Sequence, residues 1–197
     1  MKFWYCWLLA AALCFTGCGR QERREAVSFY KVLSQKGADF AATNALEKDL
    51  LGSTKAWCEG ITSNGAGRGK QLEENTDSAT ALSQSAALVS VQLGQFRQAL
   101  NDQPLKQENV QSVRGNLMKQ IMTRQKMLQE VRTALDSSAA DFKAFAQSRA
   151  YIGDTYPAGI DKLTSMLERY KGPDDVIARA IVDLKAKYKI AAADLGG

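Results

Sequence analysis

Between Lys70 and Asn101 the chain carries a heptad stripe, and few folds can accommodate one. Leu72, Ala79, Ala86, Leu93 and Leu100 stand seven apart, and Asn75, Leu82, Val89 and Phe96 fill the interleaved places. Eight of these nine positions are apolar. A repeat of that period lines one face of an α-helix and requires a facing helix to cover it, with coiled-coil-like packing. Asn75 is the polar exception and is placed to set register. The stripe predicts a helix over about Lys70 to Asn101 and an all-α fold.

The flanking sequence has the same character. Only three prolines occur, Pro104, Pro157 and Pro173. Each falls where a helix can start, at or near the first helical position. Helical periodicity runs between them, with hardly any strand alternation. From about Glu22 to Thr62, Ala26, Phe29, Tyr30, Leu33 and Phe40 share a face, and Leu51, Thr54, Trp57, Cys58 and Ile61 continue it. Gly37, Gly52 and a capping-box pattern at Asn44-Ala45-Leu46-Glu47 predict a kink or break near 37–44. A third helix is expected over about Leu105 to Ala150. Its seam of Val110, Val113 and Leu117 resumes, with a four-residue offset, at Ile121, Leu128, Val131, Leu135, Phe142 and Phe145. Gly153 to Pro157 reads as a turn, followed by a short helix. Gly172-Pro173-Asp174-Asp175 ends that helix and caps the last one.

At about 1.5 Å per residue the first three helices would be about 45 to 70 Å long. The last two together match one more pass. Short connections favour antiparallel neighbours. The expected architecture is an elongated up-down four-helix bundle, its fourth pass broken near Gly172-Pro173.

The N-terminus has the layout of an export signal. Lys2 is followed by an unbroken apolar run, Phe3 to Phe15, then by small Thr16 and Gly17. Thirteen residues are too few to span a bilayer, which takes about 20. The stretch Phe15-Thr16-Gly17-Cys18 resembles the lipobox of bacterial lipoproteins, with Phe15 where Leu is usual. The resemblance covers about twenty residues and carries no information on the fold. It implies cleavage before Cys18, a diacylglyceryl thioether on its sulfur and usually an acyl chain such as palmitate on its new amine. Residues 1–17 would then be the signal peptide, 18–21 a lipidated tether and 22–197 a single helical domain. Gly19 is not the Asp that retains enteric lipoproteins in the inner membrane, so the resemblance points to the outer membrane, facing the periplasm. An ordinary signal cut elsewhere, or an N-terminal membrane helix, is the competing reading.

The net charge is +5, and losing Lys2 leaves +4. That is mild for a nucleic-acid binder, which concentrates basic charge on one face, and no nucleic-acid partner is expected. Arg20, Arg23 and Arg24 adjoin the anchor, where they either touch anionic headgroups or simply start a solvated helix. Of four cysteines, Cys6 and Cys14 leave with the signal and Cys18 carries lipid. Cys58 is left without an intrachain partner, and a buried thiol beside Trp57 is expected.

The chain contains no histidine. That rules out His-based triads, c-type haem attachment and the Glu-x-x-His di-iron pattern of helical bundles. No zinc-type Cys or His cluster is present, and no metal or cofactor is expected. Gly65 to Lys70 superficially resembles a phosphate-binding loop. It encloses three residues between Gly65 and Gly69 where that motif has four, and Gln71 stands where the motif has Ser or Thr. It reads as a helix-to-helix connection.

These observations point to a non-enzymatic interaction or scaffolding lipoprotein of the cell envelope, held to the membrane through the lipid on Cys18 and docking an envelope protein. An inhibitor or immunity-like lipoprotein is the alternative, and an envelope enzyme using carboxylates or a Ser-Lys pair is a third reading. The basic middle of the third helix, Arg114, Lys119, Arg124, Lys126 and Arg132, is the candidate partner-binding surface. An ordinary solvated helix face is the competing account of the same five residues.

Overall fold

The computed structural model describes residues 3–148, 157–170 and 172–195, with side chains from Gly19 onward. The described residues form five α-helices and one 3₁₀ turn: α1 (Phe3–Asn64), α2 (Lys70–Asn101), α3 (Glu108–Gln147), α4 (Ala158–Arg169), α5 (Val176–Tyr188) and Ala192–Asp194. The protein is all-helical. No helix among the described residues is long and apolar enough to cross a membrane.

Two expectations about helix ends are corrected. α1 runs without a break through 37–44, so Asn44 caps nothing. A glycine in a helix costs only about 1 kcal/mol. Here Leu33, Phe40, Thr43 and Glu47 are all buried along this stretch, and their packing outweighs that cost. α3 starts at Glu108 rather than Leu105, and Pro104 lies in the α2–α3 connection. The turn expected at Gly153 to Tyr156 lies outside the described residues. Pro157 directly precedes α4, with no side-chain cap.

The α1–α2 connection is as read. Gly65, Gly67 and Gly69 all take positive φ, at 75°, 78° and 50°. Side chains rarely adopt that conformation, so glycine is what allows the chain to reverse here. Asn75 Nδ2 donates to the Ala66 carbonyl at 3.0 Å, so the one polar residue of the heptad stripe ties α2 to this loop. The other stripe positions are buried except Leu82, which is half-buried.

The packing divides into two compact units. Unit 2 comprises Ala41–Phe96 and Ile121–Asp174. Its core gathers Cys58 and Ile61 of α1, Leu72 of α2, Val131, Leu135 and Phe142 of α3, and Ile160 and Leu163 of α4. Trp57 meets the Phe142 ring edge-on, with centroids 6.0 Å apart, and Phe142 meets Phe145 similarly at 6.4 Å. Such aromatic geometry contributes about 0.5–1.5 kcal/mol beyond the area buried. Within this unit α2 is antiparallel to α1: Thr43 pairs with Gln92, and Asn75 with Ala66.

Unit 1 comprises Met1–Phe40, Arg97–Gln120 and Asp175–Gly197. Phe29, Leu33 and Phe40 of α1, Val110 and Leu117 of α3, and Ile177 and Leu184 of α5 are buried there. Asp175 caps α5 by accepting the Ala178 amide at 3.0 Å. Lys189, at φ 48°, ends α5 in a left-handed conformation.

Candidate functional site

The five basic residues of α3 do not make one surface. At 3.6 residues per turn they fall on three different bearings around the helix. Arg114 and Lys119 belong to unit 1, and Arg124, Lys126 and Arg132 to unit 2. Arg114 is half-buried and donates through Nη1 to the Gln103 carbonyl at 2.8 Å. Lys119 and Lys126 are exposed. Arg132 is exposed and stands 3.7 Å from Asp136, one turn on.

Arg124 is the clear departure from the expected outer face, because it is only 5% exposed. Its partner is Glu47 of α1, which is fully buried. Arg124 Nε donates to Glu47 Oε2 at 2.9 Å, and Nη2 donates to the same oxygen and, at 2.7 Å, to Asn44 Oδ1. The other carboxylate oxygen, Oε1, accepts from the Tyr170 hydroxyl at 2.6 Å. Burial pushes the Tyr170 hydroxyl above the usual tyrosine range, and its bond to Glu47 acts in the same direction. The cluster fastens α1, α3 and the residue that follows α4 together. Both Glu47 oxygens are engaged, one by Arg124 and one by Tyr170, an arrangement that suits a structural joint.

The sequence held a signal for this joint. Glu47 lies on the stripe Thr43, Leu50, Thr54, Cys58, and Arg124 on the stripe Leu117, Ile121, Leu128. Each is a charge at a core position, and such charges persist only when paired.

Tyr170 also lines an open groove of about 320 Å³ in unit 2, with Lys48, Leu51, Lys55, Leu167 and Pro173. Lys48 and Lys55 are exposed at this groove. Lys55 also stands 3.8 Å from Glu59.

Cys58 is buried and free, and burial pushes its thiol up to about 11. It is therefore a packing residue and a poor nucleophile at neutral pH. No group of three acidic or cysteine side chains able to hold a metal occurs among the described residues. Cys18 lies within α1, and its side chain is outside the described set.

No protein-family model, curated protein or solved structure matches this chain.

Proposed function

We propose that the protein is a membrane-tethered, non-enzymatic interaction or scaffolding lipoprotein of the bacterial cell envelope, anchored through lipid on Cys18. The carrying observation is the run Phe3–Phe15 closing on Phe15-Thr16-Gly17-Cys18, followed at once by a polar helical body. In this reading the body comprises four passes in up-down order, with α4 and α5 as the broken fourth. Gly19 after the anchor favours the outer membrane. The use of the buried ionisable groups supports a non-catalytic role: Glu47 is held by Arg124 and Tyr170, and burial raises the Cys58 thiol.

Labelling of cells with an alkyne fatty acid tests the anchor. The wild type should be labelled and Cys18→Ala should not, and equal labelling would dismiss the lipoprotein reading. Photoreactive residues at the exposed Lys126 and at Lys48 beside the groove then test for a partner. A single dominant crosslinked envelope protein is the expected result.

A further inference from the structure

The first turns of α1 after Cys18 hold two remote parts of the chain. Glu22 Oε1 accepts from the Tyr188 hydroxyl of α5 at 2.6 Å and from Asn109 Nδ2 of α3 at 2.9 Å. Arg23 donates to the Tyr188 and Lys189 carbonyls at 3.2 and 3.4 Å, and pairs with Asp194 at 2.7 Å. Glu25 Oε2 accepts the backbone amides of Lys106 and Gln107 at 2.8 and 2.9 Å. α1 is continuous from Cys18 to Glu25, so these attachments lie within about 10 Å of Cys18 along the helix axis. The α2–α3 connection and the chain after α5 are thus brought to the anchor by their own hydrogen bonds.

Charge at this end is sorted. The carboxylates of Glu22, Glu25 and Asp194 are engaged by internal donors. Arg20, Arg24, Lys106 and Lys189, from three separate stretches of sequence, are exposed. Asp102, Glu108 and Asp183 are exposed acids of the same unit, so the excess of positive charge is modest. It suits a surface that supplements an anchor and would not hold a membrane alone.

We infer that this end of unit 1 is a headgroup-binding surface that takes anionic phospholipids through Arg20, Arg24, Lys106 and Lys189. The inference rests on the proposed membrane anchor at Cys18, which sets these cations against the bilayer. A cation beside a membrane gains from the negative surface potential, and the gain fades within a Debye length. Cations gathered from three stretches also restrict how unit 1 stands on the membrane, which a flexible basic tail would not do.

The test uses the full chain, isolated from membranes and placed in nanodiscs of phosphatidylcholine alone or with phosphatidylglycerol. Lysine acetylation is followed by mass spectrometry. With the anionic lipid, Lys106 and Lys189 should be modified about fivefold more slowly, the factor that corresponds to the attraction typical of a juxtamembrane cation. Lys126 and Lys143 of unit 2 are the reference sites. Arg20→Gln with Arg24→Gln, both at exposed positions, should reduce the protection, and so should raised salt. Equal rates in the two discs, or protection that ignores salt and the Arg variants, would overturn the inference. The mass of the N-terminal fragment separates the two claims. Lipid on Cys18 without protection sinks the surface and keeps the anchor, and protection without lipid does the reverse.

Discussion

Arg124 and Glu47 lie 77 residues apart in sequence and meet in the interior of unit 2, with Nε of one 2.9 Å from Oε2 of the other. Neither residue is more than 5% exposed. A buried pair of this kind adds little net stability over well-packed apolar residues, yet losing one partner strands a charge. Arg124→Met should therefore destabilise the protein by about 3–5 kcal/mol in urea unfolding. Adding Glu47→Leu should recover much of that loss. Tyr170→Phe, which leaves Glu47 Oε1 short of a donor, should cost about 1–3 kcal/mol. A double variant no more stable than Arg124→Met would show that the pair is not coupled as described.

The heptad stripe of α2 is core. Val89 is 2% exposed and carries no polar neighbour role. Val89→Asp buries a lone carboxylate and should cost several kcal/mol against a total stability of about 5–15. Val91, two residues on, is 59% exposed. Val91→Asp should change the melting temperature little, and a loss equal to that of Val89→Asp would misplace the stripe.

Gly159 lets α4 pack tightly against α3. A Cβ there would lie 2.4 Å from Ser138 Oγ and 2.9 Å from the Ala134 carbonyl oxygen. Ser138 is fully buried and donates to that same carbonyl at 2.9 Å, so it has no room to swing aside. Gly159→Ala should cost about 1–3 kcal/mol through overpacking. Gly52→Ala meets nothing within 4 Å and should raise helix stability slightly. Thermal melts of the two variants would distinguish these opposite signs, and a Gly159→Ala protein as stable as wild type would refute the contact.

The Glu22 clasp should respond to acid. The bonds from Tyr188 and then Asn109 hold the Glu22 carboxyl below the usual carboxylate range, and Arg23 does the same for Asp194. The folded state therefore binds fewer protons than the unfolded state at these sites, and stability rises with pH through their titration. Their contribution is complete above the ordinary carboxylate pKa of about 4 and is lost as pH falls through the lower folded values. Tyr188 is shifted the opposite way, upward, by burial and then by its bond to Glu22. Its contribution is complete below the ordinary tyrosine pKa of about 10 and fades as pH rises beyond it. Glu22→Gln should weaken the acid dependence of stability, and an unaltered acid limb would remove Glu22 from this role.

Much of the local structure was legible from residue order. The period of seven from Leu72 to Leu100 placed α2 at Lys70–Asn101, and the glycines at 65, 67 and 69 marked its start. Both signals are local, because apolar spacing reports one face of a helix and positive φ selects glycine. Of the kink or break expected at 37–44, the break is absent, and for a physical reason. Gly37 and the Asn44-x-x-Glu47 pattern are weak local preferences, and burial of Phe40, Thr43 and Glu47 overrides them.

The sequence by itself determined that this chain is helical, where most of its helices lie, which faces of them are apolar, and that its N-terminus resembles a lipid-attachment signal. Only the tertiary structure decided which charges are surface and which are joints. The five basic residues of α3 look alike in sequence, yet Arg124 is buried against Glu47 while Lys126, two residues on, is exposed. It likewise decided that Glu22, Arg23 and Glu25, which read as an ordinary polar helix start, hold the α2–α3 connection and the end of α5 close to the start of the polar part of α1. The reason is common to both. Periodicity records how a helix meets solvent on average, whereas the fate of a single charge depends on a partner contributed by a segment far along the chain.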